Sequence, residues 1–193
     1  MSEPWWGLCE HWLYRWFDEH GRLLYIGISL EPATRTRTHL SSRTCHWRKW
    51  AAACVVETEP RADRYAAWTA EAAAIEAERP PFNRDRNVLY RDLAALYIHD
   101  RGESILGYFD RSDGVAGKTR RDLLASIQAG DLPVGDVLPV PTYIFQRTAC
   151  EDLERMGYLA RGTDGTYRVT SQTIVDPDAR WLETSRSRLA LDA

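Results

Sequence analysis

The first half of the chain carries seven residues of types that occur in hydrolytic active sites. Hydrolysis of a phosphate ester, for example, needs an activated water, neutralisation of the charge on the transferring phosphoryl group, and help for the leaving oxygen. Tyrosine and histidine can handle protons, arginine can bind phosphoryl oxygens, and a carboxylate can hold a hard metal ion. The seven residues are Tyr14, Tyr25, Gly27, Arg35, His39, Glu71 and Asn83.

Glu71 is the residue best suited to hold the metal. Mg²⁺ gives up its waters reluctantly, so enzymes commonly bind it through a carboxylate, several waters and substrate oxygens. Glu76 follows five residues later, which on a helix places it off the face that carries Glu71. The sequence therefore predicts a divalent-metal site at Glu71.

Arg35, Tyr14 and His39 are the candidates for charge neutralisation and proton transfer. The guanidinium of Arg35 can fork onto non-bridging phosphate oxygens. A tyrosine with the usual pKa of about 10 is almost entirely neutral at pH 7, and ionising it there costs roughly 4 kcal/mol. A histidine, with its usual pKa near 6.5, needs no such help. Which of Tyr14 and His39 takes the proton from water stays open at this point.

A hairpin and a helix are predicted to position the first five of these residues. Residues 11–17 (HWLYRWF) and 23–29 (LLYIGIS) are typical strands, and the turn between them predicts an antiparallel hairpin. Pro32 suits the first turn of a helix. That helix would carry Arg35 and His39 one turn apart on one face.

Three further elements complete the predicted N-terminal fold. Residues 44–53 are predicted to form a helix, 54–58 a third strand, and 61–78 an alanine-rich helix. Pro80 and Pro81 stop the last helix just before Asn83. The fold class is therefore predicted as α+β, with a three-stranded antiparallel sheet flanked by helices.

The spacing of the seven residues resembles that of the GIY-YIG nuclease family. The intervals that carry the resemblance are 11 positions from Tyr14 to Tyr25, 8 from Gly27 to Arg35, 4 from Arg35 to His39, and 12 from Glu71 to Asn83. The resemblance covers roughly residues 11–84. Trp12 stands where the family often has glycine.

The resemblance implies an activity and a role for each residue. It implies a DNA endonuclease that uses one Mg²⁺ or Mn²⁺ ion per active site and cuts one strand there, so that a homodimer would cut both strands. The implied roles are Glu71 as metal ligand, Arg35 as essential cation, Tyr14 as base or base-positioning group, Tyr25 as the donor that orients water, His39 as proton relay, and Asn83 as a residue that fixes a loop or orients a neighbour. Gly27 is expected to let a phosphate approach the strand end.

A local run of positive charge favours contact with a nucleic-acid backbone. The net charge is −3, yet no acidic residue lies between Pro32 and Val56. Phosphate binding needs such a local patch rather than a basic average. The residues predicted to contact the backbone are Arg37, Arg43, Arg48 and Lys49. The alternative is an ordinary solvated helix face.

The tryptophans of this half are predicted to fill the core or cover the sheet. These residues are Trp12, Trp16, Trp47, Trp50 and Trp68. Base stacking stays open only for Trp47 and Trp50, because they flank the basic pair Arg48-Lys49 and stacking platforms are found on basic surfaces.

Cysteine usage and hydropathy predict a cytoplasmic protein without a membrane segment. The cysteines form no CxxC pair, which indicates reduced thiols. His39, Cys45 and His46 lack a second ligand pair, so structural zinc is not expected. No segment approaches the ~18 apolar residues of a membrane span, and the first residues lack the basic leader of a secretory signal.

The second half of the chain predicts a small winged-helix-like domain. The predicted division is a nuclease domain over 1–88, a connecting segment over 89–116, a winged-helix-like domain over 117–172 and a tail over 173–193. The segments AGDLPVGDVLP and GTDGTYRV resemble those of GntR-type DNA-binding domains.

Two features argue against tight reading of a major groove by this domain. Only 14 positions separate Pro139 from Leu153, which leaves no room for two helices. The remaining helix carries Glu151, Asp152 and Glu154, which are expected to repel phosphates.

Two other functions stay open from the sequence. A non-catalytic DNA-binding or regulatory protein would use the winged-helix-like domain and bind without metal-dependent cleavage. An RNA nuclease is also compatible, because phosphate contacts do not distinguish the two sugars.

Overall fold

The structure, a computed structural model, describes residues 9–43, 45–85 and 87–192. It divides into two compact units, the first ending at Ala94 and the second beginning at Ala95. The first eight residues, on which the prediction about a leader depends, lie outside the described residues.

The first unit is built on a three-stranded antiparallel sheet, as predicted. Strands β1 (Trp12–Phe17) and β2 (Leu23–Ser29) form the hairpin, and β3 (Ala53–Val56) pairs with the other side of β1. The strand order is therefore β2-β1-β3. Strand β3 ends two residues earlier than the predicted range of 54–58.

The hairpin register places several of the candidate residues on one face of the sheet. Tyr14 pairs with Gly27, and Trp16 pairs with Tyr25. Because side chains alternate along a strand and cross-strand partners share a face, these four residues lie on the same side.

Two helices and one 3₁₀ segment flank this sheet. Helix α1 (Pro32–Ser41) begins at its proline, as predicted. Helix α2 (Arg64–Glu78) begins where the Asp63 carboxylate accepts a hydrogen bond from the Ala66 amide, so the predicted start at residue 61 is three residues too early. It ends at Arg79, whose φ of 48° is left-handed, directly before the two prolines.

The helix predicted over 44–53 is wrong. The structure has only a 3₁₀ helix, His46–Trp50, and Thr44 lies outside the described residues. Sheet pairing decides the outcome, because Ala53 already pairs with Phe17 as the first residue of β3. An α-helix would have to give up that pairing.

The tryptophans differ from the prediction at one position. Trp47 is buried and stacks on the Tyr25 ring, with centroids 5.2 Å apart, so it does not offer a face to a base. Trp50 is half-buried and stacks on Phe82. Trp68 was predicted to fill the core or cover the sheet, but its side chain is 48% exposed on α2.

The second unit is mainly helical. Its elements are α4 (Ile105–Ser112), α5 (Val115–Ala129), β4 (Val137–Leu138), α6 (Ile144–Arg155), β5 (Leu159–Arg161), β6 (Tyr167–Val169) and α7 (Pro177–Leu191), while α3 (Tyr90–Asp100) spans the boundary between the units.

Two segments predicted to be irregular are helical. The segment predicted to connect the two domains, 89–116, contains α3 and α4, and α5 begins within it at Val115. Residues 173–193 were interpreted as a tail, but α7 occupies most of them. Trp181 of α7 is fully buried and stacks on Phe109, with centroids 5.0 Å apart. Only three positions of α7 are buried, which explains why its periodicity is weak.

A buried ion network holds α4, α5 and α6 together. The fully buried Arg120 contacts the carboxylates of Asp110, Asp113 and Asp152. A buried charge is tolerated only when it is paired and hydrogen-bonded, so Arg120 depends on these carboxylates and stabilises them in turn. The expectation that Asp152 repels phosphates is therefore wrong, because its side chain is buried against Arg120.

The second unit also contains a small sheet with the strand order β4-β6-β5. Among the described residues a single helix, α6, lies between β4 and β5. The resemblance to a winged helix stays a prediction. Within the described part of the chain, no helix combines the length and the apolar character needed to cross a membrane.

Candidate active site

A cleft of about 480 Å³ opens on the first unit beside the hairpin and α2. Five of the seven candidate residues line it: Tyr14, Tyr25, Arg35, Glu71 and Asn83. They come from both strands of the hairpin, from both helices and from the loop after α2. The structure therefore brings together residues that lie up to 69 positions apart in the sequence. Gly27 and His39 lie directly behind the lining.

Tyr14 and His39 form a hydrogen-bonded pair behind the cleft. The Tyr14 hydroxyl lies 3.0 Å from Nε2 of His39, and both side chains are buried. The other ring nitrogen, Nδ1, lies 3.3 Å from the Cys45 sulfur. The imidazole is thus held on both sides, with one nitrogen directed at the tyrosine that lines the cleft.

Both tyrosines are neutral in this environment. Burial raises the pKa of the Tyr14 hydroxyl well above its usual value, and the neighbouring Tyr25 and Glu71 add to this, while Arg35 lowers it. Burial also raises the pKa of Tyr25, with a further contribution from Glu71. At pH 7 the Tyr14 side chain is therefore a neutral phenol whose hydroxyl lies within hydrogen-bond distance of His39.

His39 is also neutral near pH 7. Burial, followed by the positive charge of Arg35, lowers the pKa of its imidazole to about 4. A neutral imidazole can accept the hydroxyl proton of Tyr14 at Nε2. The structure therefore places an uncharged proton acceptor within hydrogen-bond distance of Tyr14.

The low pKa of His39 predicts a loss of stability on acidification. The unfolded chain binds a proton at this residue below about pH 6.5, whereas the folded chain does so only near pH 4. The stability that depends on neutral His39 is therefore fully present above pH 6.5, and up to about 3 kcal/mol of it is lost as the pH drops to 4. Urea unfolding of the wild type and of His39→Gln at pH 7.5 and pH 5 measures this, and the variant should lose less stability.

The exposed His20 supplies the matched control for that experiment. His20→Gln should retain the pH dependence of the wild type, because this side chain lies on the surface. An equal pH dependence in His39→Gln and the wild type would contradict the burial argument.

Gly27 leaves space that the rings of Tyr14 and Tyr25 occupy. A Cβ atom at this position would lie 2.5 Å from the Tyr14 hydroxyl oxygen and 2.8 Å from a ring carbon of Tyr25. Real Cβ contacts are not that short, so any larger residue would displace one or both rings. The approach of a phosphate at Gly27 stays a prediction.

Asn83 fixes the edge of the hairpin strand that carries Tyr25 and Gly27. Its Oδ1 accepts a hydrogen bond of 2.8 Å from the Ile26 amide, and its Nδ2 donates one of 2.8 Å to the Ile26 carbonyl. The neighbouring Phe82 amide donates to the Leu24 carbonyl. The side chain thus completes a short ladder along the free edge of β2 and anchors the loop that follows.

Positive charge in the cleft comes from three arginines. Arg35 was predicted, whereas Arg64 and Arg84 were not. Arg35 and Arg64 also line an adjacent cleft of about 510 Å³, so they stand between two grooves. The sequence does contain evidence for Arg64. It precedes Glu71 by seven residues, or two helical turns, which places both side chains on the same face of α2.

The residues predicted to bind the nucleic-acid backbone do not line either cleft. These are Arg37, Arg43, Arg48 and Lys49. Arg48 donates to the Leu40 carbonyl at the end of α1, and the Lys49 ammonium lies over the Trp50 ring. Contacts of these residues with DNA outside the clefts stay a prediction.

The carboxylates of the cleft fit a weakly anchored hard cation. Glu71 and Asp85 are the acidic residues that line it. Within the described ranges, no group of three or more histidine, cysteine or acidic side chains is arranged to hold a metal. A donor set this small suits Mg²⁺, which keeps several waters and takes oxygens from a bound phosphate. Asp85 was not identified from the sequence, although it follows Asn83 by two residues.

Comparison with models of protein families matched residues 10–85 to the GIY-YIG catalytic domain. The matched range contains all seven candidate residues. The comparison with curated proteins found no match, and neither did the comparison with solved structures.

Proposed function

We propose that the chain is a divalent-metal-dependent DNA endonuclease that hydrolyses phosphodiester bonds, and the match of residues 10–85 to the GIY-YIG catalytic domain supports this. Such a domain is typical of endonucleases, and GIY-YIG nucleases generally use divalent metal ions. The observation that carries the proposal is the convergence of Glu71, Arg35 and the Tyr14–His39 pair on one cleft.

Arg35 binds the non-bridging oxygens of the scissile phosphate in this proposal. It lines the cleft together with Tyr14 and Glu71, and its charge is permanent. Because Arg35 and Arg64 also line the adjacent groove, a DNA strand that passes from one groove to the other would meet an arginine at successive phosphates. Bidentate pairing of arginine with phosphate fixes the position as well as the charge of the substrate.

Proton transfer follows the hydrogen bond from Tyr14 to His39. Tyr14 accepts a proton from the attacking water while its own hydroxyl proton passes to Nε2 of His39, 3.0 Å away. The phosphates of the substrate offset the repulsion by Arg35 that helps to lower the pKa of His39. Tyr25 donates a hydrogen bond that orients the water.

Glu71 would hold the Mg²⁺ or Mn²⁺ ion, one in each active site. When bound, the ion supplies charge stabilisation for the phosphoryl group and for the leaving oxygen. Asp85 lines the same cleft and would hydrogen-bond waters of the ion. Each site cuts one strand, so cutting both strands would need a second copy of the chain.

A cleavage assay with and without metal tests the proposal. The full chain should nick supercoiled plasmid in the presence of Mg²⁺ or Mn²⁺, and excess EDTA should abolish the nicking. RNA of the same sequence, included in parallel, distinguishes a DNA nuclease from an RNA nuclease. If the chain retards DNA in a gel but cuts neither substrate with either ion, the non-catalytic DNA-binding function replaces the proposal.

A further inference from the structure

Two aromatic side chains lie exposed on α2, and one of them, Trp68, lines the cleft. Trp68 is 48% exposed and Tyr65 is 76% exposed. Their rings stack on each other, with centroids 6.3 Å apart and planes tilted by 27°. A stacked pair of this kind is a flat apolar surface held in a fixed orientation, because each ring limits the rotation of the other.

The tryptophan shares a helix face with the candidate metal ligand. Trp68 follows Arg64 by four residues and precedes Glu71 by three, and these spacings place all three on one side of a helix. The three side chains accordingly line the same cleft. An aromatic face, a cation and the candidate metal ligand are thus neighbours along one helix.

We propose that Trp68, backed by Tyr65, stacks on an unpaired nucleobase next to the scissile phosphate. The inference rests on the proposed nuclease function and adds a substrate class to it: DNA with an unpaired base at the cut site. In an intact duplex both faces of each base are covered by neighbouring bases, so a flat aromatic ring can reach a base only where the strand is single or the base is flipped out.

The surrounding charges favour a nucleotide over a protein surface as the partner of these rings. Arg35, Arg64 and Arg84 line the cleft that Trp68 borders. Aromatic rings among basic side chains are the usual way of binding single-stranded nucleic acid, in which the cations follow the phosphates and the rings stack on the bases. Arg64 would then bind the phosphate of the nucleotide whose base lies on Trp68.

Binding of oligonucleotides that differ only in their bases tests this inference. The full chain with Glu71→Gln, which should bind without cutting, is titrated with a labelled single strand and with the same strand made of abasic nucleotides. The normal strand should bind about 10-fold more tightly. Adding Trp68→Leu should erase the difference, whereas adding Trp68→Phe should retain most of it, because phenylalanine stacks and leucine does not.

Two other results would overturn the inference. An unchanged ratio of the two affinities in the Trp68→Leu variant, with folding verified by circular dichroism, would exclude base stacking by this residue. A change in sedimentation with an unchanged ratio would assign the face to a contact between copies of the chain. Failure of the nuclease proposal itself would be visible separately, as the absence of metal-dependent nicking by the unsubstituted chain.

Discussion

Replacing Glu71 by glutamine is expected to lower the rate of metal-dependent plasmid nicking by about 1,000-fold. Glutamine keeps the size of the side chain and can still accept a hydrogen bond, but it removes the negative charge that a Mg²⁺ ion needs. Asp85 cannot substitute fully, because it lies on the loop after α2 and not on the helix. The rate is measured with supercoiled plasmid at saturating Mg²⁺.

Glu76 provides the matched control for this prediction. It lies on the same helix, five residues further on, and its side chain is exposed. Glu76→Gln makes the same chemical change outside the cleft and should leave the nicking rate within about twofold of the wild type. Equal losses in both variants would point to a general effect on α2 and would contradict the role of Glu71 as metal ligand.

DNA binding by the Glu71 variant separates a catalytic role from a structural one. Removing a negative charge from a cleft that receives phosphates should strengthen metal-free binding or leave it unchanged. A structural role for Glu71 predicts the opposite, namely weaker binding together with a lower midpoint of urea unfolding. Measuring binding in EDTA by fluorescence anisotropy therefore distinguishes the two.

The local features of the N-terminal unit could be predicted because they depend on neighbouring residues. The hairpin strands follow from two apolar and aromatic runs separated by a turn, the start of α1 from Pro32, and the end of α2 from Pro80 and Pro81. The helix predicted over 44–53 failed because pairing of Ala53 with a strand far away in sequence outweighs local helix propensity.

The candidate site could be predicted in composition but not in its contacts. Spacing identified Tyr14 and His39, yet it gives no distance between them, and the hydrogen bond that joins them depends on how α1 packs on the sheet. The same limit applies to the tryptophans. Trp47 lies among basic residues and Trp68 among alanines in the sequence, yet the tertiary fold buries Trp47 and leaves Trp68 exposed at the cleft.

Helix α7 of the second unit could not be predicted from the sequence, because few of its residues are buried. Helix α7 buries Trp181, Leu182 and Ser185, and a serine among so few buried positions conceals the apolar period. Asp152 was misjudged for a related reason. The sequence shows that Asp152 carries a negative charge, but only the tertiary structure shows that its carboxylate is buried against Arg120.

Replacing Gly27 by alanine is expected to lower nicking by about 100-fold, because a displacement of catalytic groups by about 1 Å can cost that much. The added Cβ would lie 2.6 Å from the Tyr14 ring and 2.8 Å from the Tyr25 ring. Tyr14 is almost completely buried and cannot move into solvent, so the methyl group must displace its hydroxyl from His39. In a strand, alanine is otherwise more stable than glycine by roughly 0.5–1 kcal/mol. A loss of nicking activity in Gly27→Ala must therefore come from the contact of the added methyl group with the tyrosine rings, not from the backbone.

The control for this substitution is Gly107→Ala, where the added Cβ would approach Ser104 no closer than 3.3 Å. That variant should keep the activity of the wild type. The ¹⁵N resonance of His39 Nε2 should shift in Gly27→Ala, reporting the lost hydrogen bond to Tyr14, and should not shift in Gly107→Ala. Wild-type nicking by Gly27→Ala would mean that the tyrosine rings can relax without leaving their working positions. The role of Gly27 would then be to let the substrate phosphate approach the strand, as the sequence predicts, and not to leave space for the rings of Tyr14 and Tyr25.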